Sequence, residues 1–397
     1  MSGSVVLAPR VLAVASHVSC VHEFTMKHFN DDLFHGLELI VLFSQVVSGY
    51  GLDLKSKREN ATLGSFNVGH CSNVGNKVAV FVLQSLGSEV AALNTVQFSY
   101  KQWTGTRATA QEITDLYNGL KQSYLDDFDM MLSGYIPGAE GVTAVGSIAK
   151  GLKDKFQHSP GKFFWVLDPV MGDNGKLYVA PEVVPAYKAL LPYADLILPN
   201  QFEAEQLSDV KIVDMDSLTQ AIQVLHEKFN VPHIIITSVS FTTPDHPPSH
   251  LAVIGSTMTS GRKARTFKIT FPSIDCYFCG TGDMFGALIT SRIREATGAV
   301  PGLRGRASWL SDDDVPATEL PLARAAEKVL ASMHEVLAKT RDAMPAVTER
   351  TWAELKAEDR DDKDKAHYVK SKAAELQLVT NLDSLRSPSI KFSATKA

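Results

Sequence analysis

The feature that most constrains this chain is a repeated alternation of short apolar runs of strand length with stretches of helical periodicity. Val11-Leu12-Ala13-Val14 ends in the polar pair Ser16-His17, Val78 to Leu86 reads as a helix, and Glu89 to Val96 reads as a strand again. The rhythm continues with helix Ala110 to Tyr124, strand Met130 to Gly134, helix Val142 to Phe156 and strand Phe163 to Leu167. It goes on through strand Leu196 to Leu198, helix Ser217 to Lys228 and strand Ile234 to Thr237. Strands separated by helices pair in parallel through right-handed crossovers. The expected fold is α/β, with a mainly parallel central sheet and helices on both faces. Such a sheet takes its ligands beyond the carboxyl ends of its strands, where this chain concentrates polar residues.

Composition narrows the function classes. With 45% apolar and 21% charged residues and a formal net charge of -5, the chain is suited to a globular core and poorly suited to nucleic acid. A small neutral or anionic substrate fits better. Cys20, Cys71, Cys276 and Cys279 are too few and too uneven for a disulfide framework, which points to a reducing compartment. Cys276-Tyr-Phe-Cys279 alone supplies half a zinc site and is read as incidental. The N-terminus lacks a secretory pattern, and the run Leu39 to Val47 is too short to span a bilayer, so a cytoplasmic protein without membrane attachment is expected. His22, His28, His35 and His70 match no metal-ligand spacing, and their region, Ser19 to Asn73, does not share the βαβ rhythm. A helix is expected from Leu320 to Lys339. The tail beyond Asp342, extreme at Asp359 to Lys365, reads as a solvated, partly flexible segment over 342–369.

Polar groups of complementary kinds sit at separate element ends. Gly280-Thr281-Gly282-Asp283 precedes an apolar stretch fit to start a helix, so glycines lie where bare backbone amides and the helix field favour an anion. An Asp in that turn repels phosphate unless a cation intervenes or it acts on a nearby hydroxyl, and phosphoryl transfer needs both. No Walker A sequence is present, and the motif lies too late, without a following acidic strand end, for a dinucleotide fold. Asp168 and Asp173 flank a Pro/Gly turn after a strand, which suits a cation site and equally suits loop acids facing water. Asn200 and Glu203 share a helix face, and in isolation they read as an N-cap with a charged first turn. Thr237-Ser238 offers hydroxyls or amides at another strand end, or simply a polar terminus.

Ser16-His17-Val18, Val47-Ser48-Gly49-Tyr50, Val74-Gly75-Asn76-Lys77, Leu93 to Ser99, Leu132-Ser133-Gly134-Tyr135, Asp168 to Asp173, Leu198 to Glu205 and Gly280 to Phe285 together resemble the pyridoxal kinases, fungal forms above all. The resemblance runs in order from about Arg10 to about Arg294, and Lys370 to Val379 is similar to the closing helix of fungal members. It implies a ribokinase-like three-layer fold and MgATP-dependent phosphorylation of the 5′-hydroxyl of pyridoxal, pyridoxine or pyridoxamine. By resemblance Asp283 is the general base, and Gly280, Thr281 and Gly282 hold the transferring phosphate. Asp168, Asp173, Asn200 and Glu203 surround the ATP phosphates, with Asp168, Asp173 and Glu203 on magnesium directly or through water. Thr237 and Ser238 lie by the nucleotide, while Ser16, Val74, Val96, Phe98 and Tyr135 line the vitamin pocket. Family members are homodimers stimulated by K+. The alternatives are a hydroxymethylpyrimidine kinase with the same Gly-Thr-Gly-Asp type of site, or a non-catalytic ATP- or vitamin-binding relative.

The chain departs from the pattern at three places. Two pieces, 19–46 and 51–73, interrupt stretches that are continuous in the family, and after Ser99 the family's Asn-His-Thr-Gly is missing before Tyr100. The flanking residues rejoin into the family pattern when these are corrected, as translated introns and an omitted coding piece would give; genuine insertions are the alternative. The expectation is a single kinase-like domain with an intact ATP half and a vitamin pocket impaired by the interruptions.

Overall fold

In the computed structural model, residues 8–19, 74–99, 105–241, 249–356 and 362–397 are described. A single ten-stranded sheet organises them, in the order β12-β11-β10-β9-β8-β5-β4-β1-β2-β3. The strands are β1 (Arg10–Ser19), β2 (Glu89–Ser99), β3 (Gly105–Arg107), β4 (Met130–Ser133) and β5 (Phe164–Leu167), followed by β8 (Leu196–Ile197) and β9 (His233–Val239). The sheet is completed by β10 (His250–Met258), β11 (Ala264–Pro272) and β12 (Thr395–Lys396), while β6 (Gly172–Asp173) and β7 (Lys176–Leu177) form a separate small ribbon. From β2 through β1, β4, β5 and β8 to β9 every pairing is parallel. The connection order reverses at β1, since β2 lies on one side of it and β4 on the other. That switch point opens a crevice at the carboxyl ends of β1 and β4.

The sheet is buried on both faces, and the period of two assigns each side chain to one. On β1, Leu12 and Val14 enter one core while Val11 and Ala13 enter the other. On β5, Trp165 and Leu167 oppose Phe164 and Val166 in the same way. The first core is covered by α2 (Ala110–Gln122), α3 (Ala139–Lys155), α4 (Val183–Lys188), α5 (Gln201–Ser208) and α6 (Met215–Phe229). The second is covered by α1 (Asn76–Ser85), α7 (Thr281–Gly298) and α8 (Pro321–Glu354), with α9 (Lys363–Ala373) and α10 (Leu382–Arg386) beyond. Truncating a fully buried residue such as Leu12 would cost roughly 2–5 kcal/mol, because these layers have little room to collapse.

The elements expected from periodicity are present, with ends moved by a few residues. Two differences are larger. An antiparallel extension, β10 and β11 with β12 at the edge, continues the sheet past β9. The segment beyond Asp342 is helical as far as Glu354: α8 runs 34 residues and carries Pro345 inside it. The charges there are spent on an exposed helical face while Thr340 and Thr351 are buried. α9 then occupies part of the remaining charged stretch, with Val369 and Ala373 buried. Segments 20–46 and 51–73, with His22, His28, His35, His70, Cys20 and Cys71, lie outside the described residues.

Candidate active site

Helix α7 begins at Gly280, whose φ of 81° places it in the left-handed region that glycine enters without a Cβ penalty. Among the described residues no side chain caps this helix start. Its first-turn amides are therefore left for an outside acceptor. Gly282 is exposed, and a Cβ built there would meet no atom within 4 Å, so the turn faces open space. One residue on, Asp283 Oδ2 accepts a 2.7 Å hydrogen bond from the backbone N–H of Gly75. Burial pushes the Asp283 carboxyl up to about 6, opposed by the Gly75 amide.

Gly75, with φ 59° and ψ -144°, precedes α1 and sets the approach of that amide. Beside it, Asn76 is buried and its Nδ2 reaches Ala15 O, Leu93 O and Asn94 Oδ1 at 3.3, 3.0 and 2.9 Å. This side chain ties β1, β2 and α1 together at the crevice. Residues 74–76 carry part of the family likeness, yet their spacing holds no signal that Gly75 meets the acid.

The other predicted residues gather along the same sheet edge. Asp168 follows β5, and burial raises its carboxyl well above the usual range, reinforced by the charges of Glu203 and Asp283. Glu203 is buried and its carboxylate accepts from the amides of Met171 (2.8 Å), Gly172 (3.4 Å) and Asn200 (2.9 Å). Burial pushes it up to about 7 against the pull of those amides. Asn200 Oδ1 accepts from Glu203 N at 2.9 Å and its Nδ2 donates to Gly172 O at 2.7 Å, so the pair forms a reciprocal capping box at the start of α5. Both side chains thus fasten the 168–173 loop to that helix. Asp173 is exposed and accepts from Asn174. The Thr237 amide donates to Pro199 O at 3.1 Å, bringing the end of β9 beside Asn200; Ser238 follows it in the strand. Among the described residues no three His, Cys, Asp or Glu side chains converge tightly enough to enclose an ion alone.

The expected vitamin-pocket residues lie nearer the switch point. Ser16 is in β1, where the β1–β2 register shifts between Ala15 and His17. Val96 and Phe98 are buried on β2 yet belong to neither core cluster, which suits walls of a separate pocket. Tyr135 follows β4, and its carbonyl accepts from Thr95 Oγ1 at 2.7 Å. Val74 is half-buried before α1. Cys276 and Cys279 precede the cradle and form no disulfide; Cys276 Sγ lies 3.4 Å from Met344 Sδ of α8.

Two expected results test this electrostatic arrangement. If Asp283 accepts a proton in its ionised form, kcat/KM holds above about pH 6 and falls about tenfold per pH unit below it. A limb near pH 8 would exclude this carboxyl. Asp168 carries no hydrogen bond on its carboxylate among the described residues and is held among like charges. Its native form is therefore favoured when protonated, and its stabilising share is lost as pH rises. Asp168→Asn should raise the Tm of the ligand-free protein by about 2 °C at pH 8 and by less at pH 4, while lowering activity. A drop in Tm at pH 8 would overturn that account.

A mainly parallel sheet with a switch-point crevice, an uncapped glycine turn opening a helix, and an acid in its first turn define a small-molecule kinase of the ribokinase-like class. The phosphomethylpyrimidine kinase family matches residues 140–303. A candidate pyridoxal kinase of Schizosaccharomyces pombe is 36% identical over 278 residues, covering 69% of this chain and 83% of the relative. The pyridoxal kinase of Dictyostelium discoideum is 38% identical over 235 residues, covering 56% and 75%. In fold the chain is similar to pyridoxal kinase from Leishmania donovani, solved with ADP and pyridoxamine, at a TM-score of 0.67 and 23% identity over 98% of this chain and 99% of that one. The chain belongs to the pyridoxal kinase family.

Proposed function

We propose that this chain transfers the γ-phosphoryl group of ATP to the 5′-hydroxyl of a B6 vitamer: pyridoxal, pyridoxine or pyridoxamine. The observation that carries it is the juxtaposition at α7: open backbone amides at Gly280 to Gly282 and, in the same turn, a carboxylate aimed by Gly75. Asp283 takes the hydroxyl proton as the oxygen attacks, and the amides of the turn stabilise charge on the transferring group. The relatives' names and the ligands of the Leishmania structure support the substrate pair.

Carboxylates crowded with like charge and lacking a cationic partner among the described residues fit a divalent cation. Asp168, Asp173 and Glu203 would hold magnesium directly or through water, with Asn200, Thr237 and Ser238 near the nucleotide. Magnesium, when bound, would neutralise phosphate charge. Because Glu203 is already bonded to three amides, its share is that of a positioning group that shapes the loop. Ser16, Val74, Val96, Phe98 and Tyr135 would enclose the vitamin. Potassium stimulation and a homodimer are what the family resemblance implies, and a cytoplasmic location is what the cysteine usage and N-terminal pattern suggest; among the described residues no helix is long and apolar enough to cross a membrane. We take 19–46 and 51–73 as interruptions of one kinase domain.

A coupled ATP assay offering pyridoxal against hydroxymethylpyrimidine tests the assignment. Faster turnover of the pyrimidine would replace it with the neighbouring activity, and binding of both ligands without product would leave a non-catalytic relative.

A further inference from the structure

At the opposite end of the sheet from the transfer site, a cavity of about 350 Å³ lies between the amino ends of β1 and β4 and the last turns of α7. Pro9, Ser88, Met130, Ser291, Arg294 and Arg304 are among its walls. Its polar groups are poorly matched. Arg294 reaches Asp129 only at 3.9 Å, and that carboxylate already accepts the backbone N–H of Arg10 at 3.0 Å. Arg304 makes no hydrogen bond or ion pair among the described residues. Its guanidinium lies against α7 at Gly298, where a Cβ would come within 3.0 Å of Nη2. Burial draws the Arg294 guanidinium below the usual arginine range, Asp129 opposes this, and the like charge of Arg304 adds to it. Glu295 also lines the cavity, but its carboxylate is committed to Arg292 at 2.7 Å and to Lys328.

Two neighbouring guanidinium groups, one 3.9 Å from its nearest carboxylate and one with no ion pair among the described residues, are what an anion with several acceptor oxygens would satisfy.

We propose that this cavity binds a small phosphate-class oxyanion, remote from the transfer site. Arg294 and Arg304 supply charge and forked donors. The volume accommodates a free phosphate or a phosphate monoester with a small organic substituent.

The test is calorimetric titration of the full chain with the transfer site saturated by AMP-PNP, using inorganic phosphate in one arm and ribose 5-phosphate in the other. Saturable binding is expected, weakened at least tenfold in Arg304→Gln. Arg304 is exposed, so its replacement leaves the fold intact. Tighter binding of the monoester identifies an organic phosphate as the occupant, and equal affinity identifies the free ion. Heat no greater than in a chloride-matched control, or the same affinity in Arg304→Gln, overturns the proposal.

Discussion

Replacing Asp283 with alanine is expected to lower kcat for phosphoryl transfer by roughly 10²–10⁴-fold, the usual worth of a positioned general base. The nucleotide should still bind with about its native affinity, because the anion cradle is built from backbone amides that the substitution leaves in place. An effect confined to kcat is the signature of a group that acts on the reacting hydroxyl. Asp283→Asn sharpens the test, since it keeps the shape of the side chain and can still face the Gly75 amide through its carbonyl oxygen. It should lose activity nearly as fully as alanine and should abolish the pH limb near 6. Were Asp283→Asn to retain more than about a tenth of native kcat, the carboxylate would be a positioning group and the proton would leave by another route.

Gly280 to Gly282 suggested an anion site from the sequence, though such a turn can equally just begin a helix, and the role of Asp283 as base came only from the family resemblance. The parallel part of the sheet was equally legible, since βαβ alternation is written in local apolar periodicity. What local pattern cannot carry is a contact between distant segments. Gly75 meets Asp283 across 208 positions of sequence, and its amide is a backbone group that no residue type advertises. Asn200 and Glu203 show the converse. Their spacing suggested both a ligand pair and a helix cap, and folded geometry spends their oxygens on the cap. The antiparallel edge, β10 and β11, escaped notice because no intervening helix marks a crossover there. The continuation of α8 was masked by charge: a solvated helical face and a solvated loop have the same composition, and only the burial of Thr340 and Thr351 tells them apart.

Rejoining the chain should have the other large effect. A version lacking 19–46 and 51–73 and carrying Asn-His-Thr-Gly after Ser99 is expected to exceed the present chain in kcat/KM for pyridoxal by about 100-fold, the scale on which slight misplacement of a reactant costs rate. The reason is where the interruptions enter. They separate β1, which carries Ser16, from Val74, so the expected walls of the vitamin pocket come from either side of the interruptions. The missing piece falls after Ser99, at the end of the strand that supplies Val96 to the same crevice. The cradle and the carboxylates of the nucleotide half lie far along the chain from all three. AMP-PNP affinity should therefore differ little between the two versions, while the vitamin step separates them. Equal turnover of pyridoxal by both would show that the crevice at β1 and β4 assembles around the interruptions, and that Gly75 reaches Asp283 whatever precedes it. Loss of nucleotide binding in the present chain alone would instead mean that the damage spreads past the switch point into α7.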